Sequence, residues 1–235
     1  MKIERIKINN IPSIIWGEKS GKVIIAIHGN MSNKEDGVIK ILANSAVNKG
    51  YQVLSFDLPE HGERKQDTQY LCKVQNCVKD LKQIIDYAKT IYHEINIFAC
   101  SMGAYFSLLA YKDEEISKCL FLSPVVNMKI IIDNIMLWSN TTKKELEERQ
   151  EIKTDFGQTL YWDYYVYVKN NPISDWNKET YILYGNKDNM QNENIIREFS
   201  QKFNCNLSIL ENGEHYFHTK EQLDFYKKWI DKVIN

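Results

Sequence analysis

The sequence predicts an α/β fold: one doubly wound, mainly parallel sheet flanked by helices, carrying a small inserted cap. Three observations predict it. Short β-branched runs alternate with amphipathic helical stretches, the pattern of strands buried on both faces and joined by crossover helices. The 235 residues, 43% hydrophobic and 26% charged, suffice for one such domain with a large core. The alternation breaks once, over residues 126–177, and then resumes. A single domain over 1–235 with a cap or lid at 126–177 is therefore expected.

Residues 2–9 and 13–16 read as two short strands, a hairpin near one sheet edge. Lys22 to Ile27 is a nearly continuous β-branched run and ends in His28-Gly29-Asn30-Met31. Ser32 and Glu35 have capping-box spacing, which predicts a helix from there to about Asn48, stopped by Gly50. Gln52 to Asp57 is the next strand. From Val74 to Ile91 the apolar residues recur at helical spacing and predict a helix lying on a sheet face. A strand from Ile95 runs into Ser101, and a helix of small and apolar residues follows at once. Lys118 to Pro124 is another strand, ended by its proline.

Within 126–177 a charged helix opens at a second capping box, Thr142 with Glu145, and a further helical stretch lies around 160–169. Aromatic residues crowd this segment. Placed over the C-terminal edge of the sheet, where α/β proteins bind ligands, Trp138, Phe156, Tyr161 and Trp162 become candidate substrate-binding residues. The same aromatics fit equally a small core belonging to the insertion itself. Alternation resumes with a strand at 181–185, a helix from about Glu193 to Phe203 and a last strand at 206–210. Thr219 with Gln222 caps a final helix whose apolar stripe fits either the sheet or a second subunit, so a homodimer is possible.

Composition excludes several classes. Formal net charge is −1 and no basic cluster appears, so nucleic acid is not an expected partner. No run approaches the roughly 18 apolar residues of a membrane span, and Met1 to Ile6 has no uninterrupted apolar segment. Five cysteines, odd in number and without metal-site spacing, point to free thiols in a reducing cytoplasm. Neither a metal nor a cofactor is expected.

Chemistry-bearing residues collect where strands end: His28-Gly29, Ser101, Asp188 and His215. A serine between a strand and a helix sits on a tight turn that needs small neighbours, and Ala99 and Gly103 supply them. Such a turn lifts the hydroxyl out of the sheet and aims backbone N–H groups at what it attacks. The simpler reading of Ser101 is a buried helix N-cap. A serine hydroxyl is a weak nucleophile at neutral pH and needs a base, which in turn needs a carboxylate to hold its tautomer. The chain order Ser101, Asp188, His215 is the one expected of a nucleophile-elbow enzyme. Cys100 falls on the other phase of its strand, and His218 competes with His215 for the role of base.

The motifs His28-Gly29-Asn30, Asp57-Leu58-Pro59-Glu60-His61-Gly62, Ala99-Cys100-Ser101-Met102-Gly103, Gly185-Asn186-Lys187-Asp188 and Gly213-Glu214-His215 resemble those of α/β-hydrolase-fold serine hydrolases over nearly the whole chain. The chain departs from the pattern at Ala99, where the elbow's first glycine is usual, and at Glu60, where many relatives carry glycine. The resemblance implies Ser101 as nucleophile, His215 as general acid and base, and Asp188 as the acid that orients it. It implies an oxyanion hole from the N–H groups of Met102 and Asn30, with Met31 as an alternative second donor. His28 is expected to brace its own loop. Phe156-Gly157 ahead of a tyrosine-rich helix resembles small-capped carboxylesterases, including those cleaving hydroxycinnamoyl esters. The expected activity is hydrolysis of a small-molecule carboxylic ester through an acyl-enzyme. The same triad would also serve a thioesterase, an acyltransferase or a small-substrate peptidase, and a hydrolase-fold binding protein without catalysis is the alternative outside enzymes.

Overall fold

The β-branched runs become strands because they are covered on both faces. In the computed structural model, which describes residues 1–155 and 157–234, Val23, Ile25 and Ile27 enter one core layer while Ile24 and Ala26 enter the other. The alternation of side chains along a strand thus serves two apolar layers. In chain order the first half comprises β1 (Ile3–Ile8), β2 (Ile11–Trp16), β3 (Lys22–Ile27), α1 (Gly37–Val47), β4 (Gln52–Phe56), α2 (Val74–Lys89), β5 (Glu94–Cys100), α3 (Met102–Ala110) and β6 (Lys118–Leu122). Next come α4 (Met128–Trp138), α5 (Lys143–Arg149), β7 (Glu151–Lys153), β8 (Thr159–Tyr161) and α6 (Trp162–Asn170). The chain closes with β9 (Thr180–Gly185), α7 (Glu193–Lys202), β10 (Asn206–Leu210) and α8 (Lys220–Val233).

Eight strands form one sheet in the order β1-β2-β4-β3-β5-β6-β9-β10. β2 pairs antiparallel with both β1 and β4, and every other pairing in this sheet is parallel. α1 and α8 cover one face, burying Ile39, Leu42, Tyr226 and Ile230 against Phe98 and Leu183. α2, α3 and α7 cover the other with Leu81, Ile84, Phe106, Ile196 and Phe199. β5 lies near the middle of the sheet, so the turn that follows it is held from both sides.

One expected cap is replaced. The Ser32–Glu35 capping box does not form, and α1 begins at Gly37, with the Asp36 carboxylate accepting from the Val38 N–H at 3.1 Å. Ser32 donates its hydroxyl to Asp36 instead. The reason lies outside the helix: both the backbone N–H and the ammonium of Lys34 bond to Asp57, which holds residues 32–36 in a loop. The capping boxes at Thr142 and Thr219 do form.

Between β6 and β9 the chain builds more than two helices. α4 precedes the charged α5, and β7 and β8 make a small antiparallel hairpin. Leu146, Ile152, Leu160, Tyr165 and Val168 are buried together with residues of α4, and α6 packs against α2 and α4. Trp176 is a core residue. Its indole N–H donates to Thr180 Oγ1 at 2.8 Å, and its ring lies against Phe121. Among the described residues no helix is long and apolar enough to cross a membrane.

Candidate active site

A single residue, Ser101, separates β5 from α3. Its backbone adopts φ 49° and ψ −121°, a left-handed turn that costs a non-glycine residue of order 1–3 kcal/mol. Two sheet-side bonds pin the turn: the Ser101 N–H donates to the Leu122 carbonyl at 3.1 Å, and the Val125 N–H donates to the Ser101 carbonyl at 3.0 Å. The hydroxyl makes no capping bond to α3, so Ser101 is not an N-cap serine in the usual sense. Met102 opens α3, and an N–H at that position has no acceptor within its own helix. Gly103 is required by close approach, because a Cβ there would lie 2.5 Å from the His28 carbonyl oxygen.

The base and its carboxylate come from the ends of β9 and β10. These two strand-end loops touch backbone to backbone, and a Cβ on Gly185 would lie 2.3 Å from the Gly213 carbonyl oxygen. The Lys187 N–H donates to that same oxygen at 2.8 Å, and Asn186 Oδ1 accepts from the Asn212 N–H at 2.7 Å. Asp188 Oδ1 accepts from the N–H groups of Met190 and Gln191 at 2.7 and 3.1 Å. Its other oxygen accepts from His215 Nδ1 at 2.6 Å, and His215 Nε2 lies 2.8 Å from Ser101 Oγ. The Asp188 side chain is fully buried and that of His215 is 19% exposed. With the carboxylate on Nδ1, that nitrogen carries the ring proton and Nε2 is left to accept from the serine hydroxyl. The structure therefore brings together Ser101, Asp188 and His215.

The rivals stand apart. His218 is exposed, donates from Nδ1 to the Tyr216 carbonyl, and stacks on the Tyr216 ring at 5.2 Å. Burial pushes the Cys100 thiol well above its ordinary range.

The loop after β3 is braced by two histidines. His28 Nε2 accepts from the Leu58 N–H at 3.0 Å, so Nδ1 carries the proton and donates to the Gly29 carbonyl at 2.7 Å. Burial lowers the His28 pKa to about 4, which keeps the ring neutral. His61 sits 5.2 Å away, ring to ring, with Nδ1 at the Pro59 carbonyl and Nε2 3.2 Å from Asn30 Oδ1. Asn30 and Met31 are both exposed, and Met31 has φ 56°. The bracing role expected of His28 is thus met by bonds to both flanking loops.

Two residues have a role that the sequence did not show, although Asp57 opens one of the motifs. Asp57 is fully buried and gathers the Lys34 N–H, the Lys34 ammonium and the Glu63 N–H at 2.9, 2.5 and 3.0 Å, tying the loop after β3 to the loop after β4. Burial alone would lower the Lys34 pKa, but its hydrogen bonds to Asp57 and Glu63 raise it. Asp57→Ala leaves the Lys34 ammonium with Glu63 alone and takes the acceptor from two backbone N–H groups, and is expected to cost about 3 kcal/mol, read from the urea unfolding midpoint. Gln191 is the second. Its N–H bonds to Asp188, and its fully buried side chain accepts from the N–H groups of Val126 and Asn127 at 3.1 and 2.9 Å. It joins the turn carrying Asp188 to the start of the 126–177 segment. A glutamine three residues after the acid was the available signal.

The candidate substrate residues are placed as follows. Trp138 ends α4 and is 52% exposed. Trp162 stacks on Tyr165 at 5.6 Å, and the Lys73 ammonium lies 4.3 Å from the centre of the Tyr161 ring. Among the described residues, none of these three makes a hydrogen bond or ring contact with Ser101, Asp188 or His215. Phe156 lies outside the described residues. Glu60, the departure in the loop after β4, has φ 61°, which accounts for the glycine usual there; its carboxylate accepts from the Cys72 N–H.

The sequence profile of the family described as "Serine aminopeptidase, S33" matches residues 18–164, more than half of the chain. The chain belongs to that family. Family and fold together make it an α/β-hydrolase-fold hydrolase. Among solved structures, Est1E from Butyrivibrio proteoclasticus with bound ferulic acid is similar at a TM-score of 0.78 and 18% identity, covering 98% of this chain and 97% of that one. A putative hydrolase from Agrobacterium vitis also superposes at 0.78, with 14% identity over 100% and 99% of the two chains. A Pyrococcus furiosus esterase superposes at 0.68, with 18% identity over 99% and 88%. At these identities the likeness is one of fold. No curated protein matches the sequence. The match to the family ends before Asp188 and His215, which join the site through their hydrogen bonds to each other and to Ser101.

Proposed function

We propose that this chain hydrolyses carboxylic esters through an acyl-enzyme. The observation that carries the reading is the line from Ser101 Oγ through the His215 ring to Asp188, with heavy-atom distances of 2.8 and 2.6 Å behind a positive-φ serine. Ser101 Oγ attacks the acyl carbonyl as His215 Nε2 takes its proton. Asp188 holds the imidazolium that forms. The N–H groups of Met102 and Asn30 receive the negative charge on the carbonyl oxygen, each such donor being worth roughly 10²–10³ in rate. Collapse expels the alcohol with the proton from His215, and water repeats the sequence on the acyl-enzyme. Trp138, Phe156, Tyr161 and Trp162 favour an apolar or aromatic ester of modest size, the class to which the ferulic acid bound to Est1E belongs on its acid side.

A second reading, cleavage of a small peptide or aminoacyl amide, is favoured by the family's description. Turnover of p-nitrophenyl esters, acyl-CoA thioesters and aminoacyl amides, measured side by side, separates the two. Ester turnover with a fluorophosphonate adduct mapped to Ser101 is the expected result. Preference for the amides would install the second reading, and folded protein that takes no label would leave a binding protein.

A further inference from the structure

Beside the loop that carries Asn30 lies a second cluster of reactive side chains, which ester hydrolysis does not use. Cys72 and Cys77 face each other with sulfur atoms 3.6 Å apart. Their positions explain the contact. Lys73 is the N-cap of α2, so Cys72 is the residue before the cap and Cys77 the fourth residue of the helix. These two positions normally meet as a pair of apolar side chains that fixes how the chain enters a helix. Here both members are thiols. The backbone of Cys72 is fixed by its N–H bond to Glu60, and its side chain interacts with His61. Cys72 is partly exposed as a residue, and Cys77 is buried.

We propose that Cys72 and Cys77 form a redox-active dithiol that hydroperoxides convert to a disulfide. The sulfur atoms need to close only from 3.6 Å to the ~2.05 Å of an S–S bond. The two thiols are not alike. The hydrogen bond from Cys77, followed by the hydrogen bond and charge of His61, draws the Cys72 pKa below its ordinary value against the effect of burial. Burial and the neighbouring Cys72 push Cys77 the other way. Burial opposes protonation of His61, but Cys72, the Pro59 carbonyl and the Glu60 charge together raise its pKa. Both shifts run in the direction that favours a Cys72 thiolate beside a protonated His61, and thiolate character is what peroxide selects.

The chemistry balances. The Cys72 thiolate attacks one peroxide oxygen, the O–O bond breaks, and the leaving hydroxide takes the His61 proton as water. Cys72 is now a sulfenic acid. The Cys77 thiol gives its proton to His61 and attacks the Cys72 sulfur, and the displaced hydroxide leaves as a second water with that proton. Two thiols and one hydroperoxide become one disulfide, with water and the corresponding alcohol or a second water as products. The site does not depend on the hydrolase reading, and Ser101→Ala protein should oxidise in the same way.

The test treats the folded, reduced full-length protein with hydrogen peroxide, blocks remaining thiols with an alkylating agent, and digests without reduction. Lys73 lies between the two cysteines, so trypsin places them in separate peptides, 66–73 and 74–79. The expected result is these two peptides linked, a mass about 2 Da below their sum, and three alkylated cysteines elsewhere. Dithiothreitol should restore both thiols. Cys77→Ser should instead trap a Cys72 sulfenic acid that dimedone labels at least about tenfold faster than any other cysteine. Peroxide that leaves 66–73 alkylated, or that oxidises Cys100, Cys119 or Cys205 first, overturns the proposal.

Discussion

Replacing Ser101 with alanine is expected to lower kcat for the best p-nitrophenyl ester by roughly 10⁴–10⁶ while leaving the urea midpoint near that of the unmodified chain. The size follows from what the hydroxyl alone supplies. Without Oγ no acyl-enzyme can form, and what remains of the proposed machinery is the Met102 and Asn30 N–H groups. The fold should persist because the bonds holding the turn are backbone bonds, from Ser101 N–H to Leu122 and from Val125 N–H to Ser101. Alanine must still adopt φ near 49°, so a small loss of stability accompanies the loss of rate. A folded Ser101→Ala protein with near-full esterase turnover would assign the chemistry elsewhere.

Replacing Asp188 with asparagine should cost roughly 10⁴ in kcat at neutral pH. The carboxylate is fully buried, and both of its oxygens accept hydrogen bonds, one from two backbone N–H groups and one from His215. An asparagine keeps its carbonyl oxygen on the backbone donors and turns its NH₂ toward His215 Nδ1. That amide donates where the carboxylate accepted, so the ring proton is driven to Nε2, the nitrogen that must take the serine proton. The deficit is therefore one of tautomer, visible in kcat with little change in stability. It should shrink as pH rises, as serine ionisation replaces the missing base. An Asp188→Asn variant within tenfold of the unmodified rate would show that His215 does not need this partner.

Much of this architecture is legible in the residues. The β-branched runs at 22–27 and 118–122 and the helical spacing over 74–89 each specify one element, because burial on one or two faces leaves its period in the sequence. Ser101, Asp188 and His215 are legible for a related reason: each lies at or shortly after the end of a strand, and parallel strands deliver their C-terminal ends to one edge. Three things were not legible. α4 buries Met128, Ile131, Ile132, Ile135 and Met136 at helical spacing, but Ile130, Leu137 and Trp138 lie off that stripe and blur it in the sequence. The start of α1 was misplaced because Lys34 answers to Asp57, which is 23 residues away and invisible to any local capping rule. Gln191 belongs to no motif, and its importance arises only when residues 126 and 127 arrive beside it.

The contact between the loops after β9 and β10 bears on biosynthesis. The serine turn is complete once β6 has paired with β5, but its proton acceptor hangs from the outermost strand, laid down much later in translation. A nascent polypeptide still lacking its C-terminal quarter would display the hydroxyl in its turn without any partner to activate it. In the finished fold Gly213 seats on Gly185, and the imidazole is held over the turn.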